Sequence, residues 1–546
     1  MHMRKMQRSI LTLMVCLGLV LAASTAMAAT YYVSTSGNDG NNGSSSSPWR
    51  SLSHATSVAK ARGDVINVLA GEYTDNNTCI LAQGVSIKGA GSGKTTIRTS
   101  AGTYIRAENS GTPVIDGSNS VTGIRFIGSG SNTGISSVGR SNQTFSHNSF
   151  EGFHKPIVVH GKPYTWTANC GGKKPSSSAG YCDDDARTST QPNDNEWARN
   201  IKINNNKVVN GLIQPSTIKD SEIGYNVIDN RSTLKSCLGD LGMWWDNVDI
   251  HDNELYTQTI SWDVIAIEAW MVQGNTRFRN NKTNGWFSII KNPNGTNKPY
   301  SWQIVNNVFS SDVPVGVGSA GVRAAIEACF HVENVLIAGN YVENTGSNRT
   351  YQHGIGVWGY GINRNFHIRN NVFRNMRSDG IMISSADTHA QIFDGDDIYV
   401  YNNVFDNCNN GNSQALYIDD GVGDVDNVFF KNNIVISAAN AVLVRAGHSV
   451  SNVQVTHNML HNANAAKDLG SGAFSAVSNN YTEQPQFDLT GNKPYPFYKP
   501  ASDKCNLVNR GTNVGLPFSG TAPDLGAYEY TTIAPPSNLR VVQSSK

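Results

Sequence analysis

The chain has 546 residues, with 43 Lys and Arg against 42 Asp and Glu, a net charge of +1. That balance gives no electrostatic basis for binding nucleic acid or an anionic membrane surface. Charged residues make up only 16% and glycines number 52, a composition suited to many turns and few helices.

The N-terminus reads as a secretory signal peptide over residues 1–28: basic "MHMRKMQR", apolar "ILTLMVCLGLVLAA" (10–23), then the small-x-small site "AMA" (26–28). The apolar run is short for a bilayer span, and no later stretch is long and apolar enough. The expectation is an exported, monomeric protein without a membrane span, located extracellularly, in a periplasm or at the cell surface. Its main domain is expected over 29–530, with a linker-like tail at 531–546. An amphipathic helix is predicted from Leu52 to Arg62, capping the open end of whatever follows. The stretch "GVSIKGAGSGKTTI" (84–97) begins the repetitive part. Its GAGSGKT lacks the spacing of a phosphate-binding loop, and no organic cofactor is expected. Cys170 and Cys182 bracket the polar stretch "CGGKKPSSSAGYC" and are predicted to form a disulfide. Cys329 and Cys408 follow apolar segments and read as buried thiols. No paired CxxC with histidines points to zinc.

Then a repeat appears. "QIVNNVF" (303–309), "HIRNNVF" (367–373), "YVYNNVF" (399–405) and "FFKNNIV" (429–435) share two asparagines between apolar residues. Aligned on the second Asn, the units fall at Asn206, Asn226, Asn253, Asn281, Asn307, Asn340, Asn371, Asn403, Asn433, Asn458 and Asn480, with Asn148 an earlier member. Periods of roughly 20–50 residues mark solenoids and propellers. The spacing varies too much for equal propeller blades, and short alternating strands precede each Asn pair, so helical repeats are excluded. A parallel β-helix of about eleven or twelve coils accounts for the pattern. The Asn pairs mark corners, where Asn tolerates left-handed backbone and can hydrogen-bond from coil to coil.

"YYVSTSGNDGNNGSSSSPWRSLSHA", "GDVINVLAGEY", the Asn-rich coils and "APDLGAYEY" (522–530) resemble the right-handed parallel β-helix superfamily, which includes pectate-lyase-like and other polysaccharide lyases, glycoside hydrolases and epimerases. The resemblance covers nearly all of residues 30–530. It implies the fold class: an all-β, right-handed parallel β-helix solenoid with a short N-terminal capping helix. It also implies an exported carbohydrate-active protein with a polysaccharide as partner.

Aligning the strands "DVIAIE" (263–268), "WFSIIK" (286–291), "VRAAIE" (322–327), "HGIGVW" (353–358), "DGIMIS" (379–384), "QALYID" (414–419) and "NAVLVR" (440–445) by alternation places Ser288 and Ile290 inward with the other apolar residues. The expected outward column is Glu268, Lys291, Glu327, Trp358, Ser384, Asp419 and Arg445, with Asp263, Arg323, His353 and Asp379 at the strand starts. Trp244, Trp245, Trp270, Trp286, Trp302 and Trp358 are candidates for stacking on sugar rings. A bland alternative is a surface ion ladder.

Three functions compete. A lyase acting on a uronate polymer needs a base, Lys291 or His353, and a neutraliser of the carboxylate, Arg323 or a Ca²⁺ held by Glu268, Glu327 and Asp263. An inverting hydrolase would use Glu268 and Glu327 as its carboxyl pair. A non-catalytic adhesin or carbohydrate-binding protein needs neither. The lyase is the favoured expectation, with Trp358, Asp379 and Trp270 as substrate contacts.

Overall fold

In the computed structural model the described residues are 28–109, 113–161, 192–261, 264–290, 302–315, 324–329, 333–358, 361–384, 393–408, 411–419, 422–445, 449–470, 472–490 and 498–530. The expected signal peptide, the Cys170–Cys182 pairing and the 531–546 tail lie outside them. Among the described residues no helix is long and apolar enough to cross a membrane.

The chain winds as a right-handed parallel β-helix. Right-handed crossover is what twisted parallel strands of L-residues impose. Each coil gives a strand before the Asn corner, a strand after it, and a third strand that returns to the next coil. The strands after the corner form their own parallel ladder of 14. That is more than the expected eleven or twelve coils, because the earliest corners carry no Asn pair. There, Gly71 (φ +147°) and Gly123 (φ +74°) take the strained backbone conformations.

Inward-facing residues stack in file along the axis. One file runs Ile267, Phe287, Ile326, Ile355, Ile381, Leu416, Val442. Another runs Phe278, Ile304, Ile337, Ile368, Val400, Phe430, Val455. All are at most 1% exposed, and each such burial is worth about 1.5–3 kcal/mol.

The two residues of each corner, most often both Asn, divide the work. The first takes the left-handed backbone, as at Asn306, Asn370 and Asn402 (φ +56°, +56° and +55°). The second builds an unbroken ladder from Asn148 to Asn480. Asn307, for example, donates from Nδ2 to Asn340 Oδ1 (3.0 Å) and to the Phe278 carbonyl (2.9 Å), and accepts from the Asn281 backbone N–H (2.9 Å).

The capping helix is Leu52–Val58, with Ser51 as N-cap accepting from the His54 backbone N–H. It ends short of the predicted Arg62 because Ala59 is already extended. Cys408 is a buried thiol, as are Cys79, Cys237 and Cys505; the Cys329 side chain lies outside the description.

The C-terminal segment 498–530 covers the outside of the ladder formed by the strands after the corner. Tyr498, Cys505, Leu507, Leu525 and Ala527 pack on Tyr341, Val372, Val404, Ile434 and Met459. The first asparagines of three corners tie it down. Asn370 donates to the Ala527 carbonyl (3.0 Å), Asn402 to Asp524 (3.1 Å) and Asn432 to Thr512 (2.8 Å). Earlier outward positions of the same ladder are mostly polar, such as Arg125, Lys207, Glu254 and Lys282. The "APDLGAYEY" motif is part of this cover.

Candidate functional site

Strand register decides which of the expected residues share a column. Glu268 pairs with Ser288, and Ser288 with Glu327. Phe287 and Ile289, not Ser288 and Ile290, face the core: Phe287 is 0% and Ile289 1% exposed. The outward column is therefore Glu268, Ser288, Glu327, then Gly356, Met382, Tyr417 and Leu443. This corrects the expected column in five of its seven places. Ser288, Gly356, Met382, Tyr417 and Leu443 stand where Lys291, Trp358, Ser384, Asp419 and Arg445 were expected.

Trp358 shares a second register position with Trp270, Ile290, Cys329 and Ser384. Asp419 and Arg445 continue its line: Ser384 Oγ donates to Asp419 Oδ2 (3.0 Å), and Arg445 lies 4.0 Å from Asp419. Trp270 and Trp358 thus share a register position three coils apart. Lys291, Arg323 and Asp263 lie outside the described residues.

His353 and Asp379 do not belong to the outward face. They precede Ile355 and Ile381 by two residues and share their inward parity. His353 is 2% and Asp379 5% exposed. The imidazole Nδ1 lies 3.3 Å from Asp379 Oδ2 without hydrogen-bond geometry. Asp379 Oδ1 accepts from the Gln414 backbone N–H (2.8 Å), and Asn440 then donates to Gln414 Oε1 (2.6 Å). These residues form a buried corner ladder, so His353 is not placed to act as a base. Trp244, Trp245, Trp286 and Trp302 are also buried, at no more than 2% exposed, and offer no ring to a sugar.

What the structure does bring together is a carboxylate, a hydroxyl and a carboxylate on three successive coils. Ser288 Oγ donates to Glu327 Oε2 at 2.5 Å, a short hydrogen bond. Glu268 is 7% and Glu327 1% exposed. An outward position can leave a carboxylate in water, so sequestering two of them there carries a desolvation cost that packing alone does not require. Residues without side chains border the trio. Gly356 follows Glu327, and opposite Glu268 the preceding strand shifts register between Leu238 and Gly242. A Cβ on Gly239 would lie 1.8 Å from the Glu268 carbonyl oxygen. Bulges of this kind recur beside active sites, where they re-aim neighbouring side chains. Neither Ser288 nor the bulge is visible as a functional signal in the sequence.

A Ca²⁺ cage needs about six to eight oxygens. Among the described residues no group of three or more metal-ligating side chains is found, so Glu268 and Glu327 alone do not complete one.

The family described as "Protein of unknown function (DUF1565)" matches residues 35–266. No curated protein matches the chain in sequence. Several solved structures are similar to it. The catalytic unit of a GH87 α-1,3-glucanase from Streptomyces thermodiastaticus HF3-3 is 13% identical over 79% of this chain and 66% of its own, with a TM-score of 0.40. The tailspike protein of Escherichia coli bacteriophage HK620, solved with a hexasaccharide, is 11% identical over 77% and 73%, with a TM-score of 0.44. Pectate lyase Pel9A is 14% identical over 93% and 98%, with a TM-score of 0.28. The chain spans just under two thirds of the first of these. By its stacked coils and parallel ladders, the chain has the right-handed parallel β-helix fold.

Proposed function

We propose that this is an exported carbohydrate-active enzyme that cleaves a glycosidic bond within a polysaccharide, with Glu268 and Glu327 as its acid and base. The observation that carries the reading is their register: one outward column, two coils apart, with Ser288 between. Two coils separate their backbones by about 9–10 Å, near the upper end of the roughly 6.5–9.5 Å carboxyl spacing of inverting glycosidases. Glu327, oriented by the Ser288 hydroxyl, takes a proton from water, whose oxygen attacks the anomeric carbon. Glu268 in its acid form protonates the departing glycosidic oxygen. One proton is taken and one given, and the configuration inverts.

Hydrolysis is the first reading because its two carboxyl groups share one outward column; of the two bases expected for elimination, His353 has inward parity and Lys291 lies outside the described residues. Export rests on the leader at residues 1–28, and a polysaccharide substrate fits a solenoid face that runs along many coils.

The test is to incubate the mature protein with pectate, alginate, glycosaminoglycans and neutral glucans, with and without Ca²⁺. New reducing ends without ultraviolet absorbance from a C=C bond are expected. Absorbance from an unsaturated product would replace hydrolysis with elimination. Binding without cleavage across the panel would favour the adhesin reading and overturn the enzyme.

A further inference from the structure

The outer face of the strands that precede the Asn corners carries a second polar concavity, of about 470 Å³. Four successive coils contribute Lys202, Glu222, Asp249 and Arg277 in strict register. The neighbouring outward column adds His251 and Arg279.

Its charge order is informative. A ladder built for stability alternates in sign, because like charges directly opposite one another on paired strands are destabilising. Here the order is plus, minus, minus, plus. The two central carboxylates are held from the side. Arg279 grips Asp249 through Nε and Nη2 (2.9 and 2.8 Å). Glu222 accepts from Asn204 Nδ2 (3.0 Å) and faces His251 Nε2 (3.2 Å). The other imidazole nitrogen lies 2.8 Å from Asp252. His251 reaches this position only because residue 224 is glycine: a Cβ there would sit 2.6 Å from the ring. The two end cations, Lys202 and Arg277, are exposed and have no ion-pair partner among the described residues. Tyr225, 51% exposed and edge-on to His251 at 5.1 Å, forms one wall.

We propose that this concavity is a second saccharide-binding site, separate from Glu268 and Glu327, that takes an acidic oligosaccharide lying along the solenoid axis. The carboxylates in the middle, fixed by Arg279 and His251, are oriented acceptors for sugar hydroxyls. The unpaired cations at the ends, about 14 Å apart along the coils, receive the ligand's anionic groups, and Tyr225 offers an aromatic ring. A small inorganic anion fits poorly, because the two carboxylates occupy the centre. A ligand with hydroxyls in the middle and negative charge towards its ends matches the order of the column.

The inference does not depend on cleavage, and its test is a binding measurement. Titration calorimetry on the mature protein carrying Glu327→Gln would use hexamers of galacturonate and mannuronate and a chondroitin sulfate hexamer, with a neutral galactose oligomer as control. At least one acidic oligomer should bind, and added salt should weaken it. Lys202→Ala together with Arg277→Ala should weaken binding by about tenfold or more. Adding Glu268→Gln should leave it unchanged. Failure of every acidic oligomer to bind, equal binding of the neutral oligomer, or indifference to the double substitution would overturn the proposal. Binding lost on changing Glu268 but not Lys202 and Arg277 would assign acidic-sugar recognition to the first site and leave the cleavage reading standing.

Discussion

Asn306 and Asn307 are adjacent, identical in type and opposite in consequence. Asn307 is fully buried, and its side chain takes part in four hydrogen bonds. Alanine there removes all four. Two of the partners keep an alternative: Asn281 Nδ2 still donates to the Ile250 carbonyl (3.0 Å), and Asn340 Oδ1 still accepts from the Asn307 backbone (2.9 Å). The Asn281 backbone N–H loses its acceptor inside the wall, which costs about 1–3 kcal/mol. With the net worth of the other bonds, the total comes to about 3–5 kcal/mol. Asn306 is exposed, and its work is its φ of +56°. Alanine there costs about 1–2 kcal/mol, and glycine removes most of that penalty. Urea unfolding followed by far-ultraviolet circular dichroism would compare Asn307→Ala, Asn306→Ala and Asn306→Gly. Hydrogen exchange in the flanking coils would show where the loss falls, since solenoids need not unfold in two states. Equal costs for the two alanines, or less than about 1 kcal/mol at Asn307, would refute this division of labour.

Glu327→Gln and Glu268→Gln should each lower polysaccharide cleavage by about 10²–10⁴-fold while circular dichroism stays unchanged; activity within a few-fold of the parent would remove them from the mechanism. Gly224→Ala forces the His251 ring away and should destabilise by about 1–3 kcal/mol, read as a lower melting temperature; an unchanged one would mean the ring relocates freely. Burial first, and then the nearby Asp524 carboxylate, push Glu529 up to about 7 from its ordinary 4.5. The stability it contributes is therefore complete below about pH 4.5 and is lost as pH rises through about 7. Hydrogen-exchange protection over 498–530, taken relative to the intrinsic exchange rate at each pH, should be greater at pH 5.5 than at pH 8.5 by a margin that Glu529→Gln reduces, and the opposite trend would contradict the sign. Cys79, Cys237 and Cys408 are buried and their thiols pushed well above the usual range by desolvation, so a thiol reagent should modify them only after unfolding; rapid native labelling of any one would place it at the surface.

The coil architecture was legible because the corner demands a particular side chain. Few residues accept the left-handed turn, and only an amide both donates and accepts along a ladder, so selection at one position per coil leaves a visible period. Where glycine does the same backbone work, as at Gly71 and Gly123, no ladder residue marks the coil and the count falls short. The C-terminal cover left a weaker trace. Outward positions Tyr341, Val372, Val404, Ile434 and Met459 are apolar, but an apolar residue in a short strand reads as core whichever way it faces.

The candidate site was half legible for a related reason. Glu268 and Glu327 end well-alternating strands, and their parity survives in the structure. "WFSIIK" between them has apolar residues at both parities, Trp286 and Ile290 on one and Phe287 and Ile289 on the other. Alternation cannot choose between them, and a slip of one residue turns every side chain to the opposite face. The choice is made by the neighbouring coils. Phe287 fits the inward file between Ile267 and Ile326 and packs against Phe309, with ring centroids 4.7 Å apart, and that places Ser288 outside beside Glu327. "HGIGVW" fails differently: its outward position next to Glu327 is Gly356, which has no side chain to suggest a site. In a solenoid, function is read down columns that cross many coils, so one ambiguous strand changes the chemistry assigned to the whole face. The carboxylate pair keeps one column because both of its members sit on unambiguous strands, and Ser288 takes the place between them that the ambiguous strand had given to Lys291.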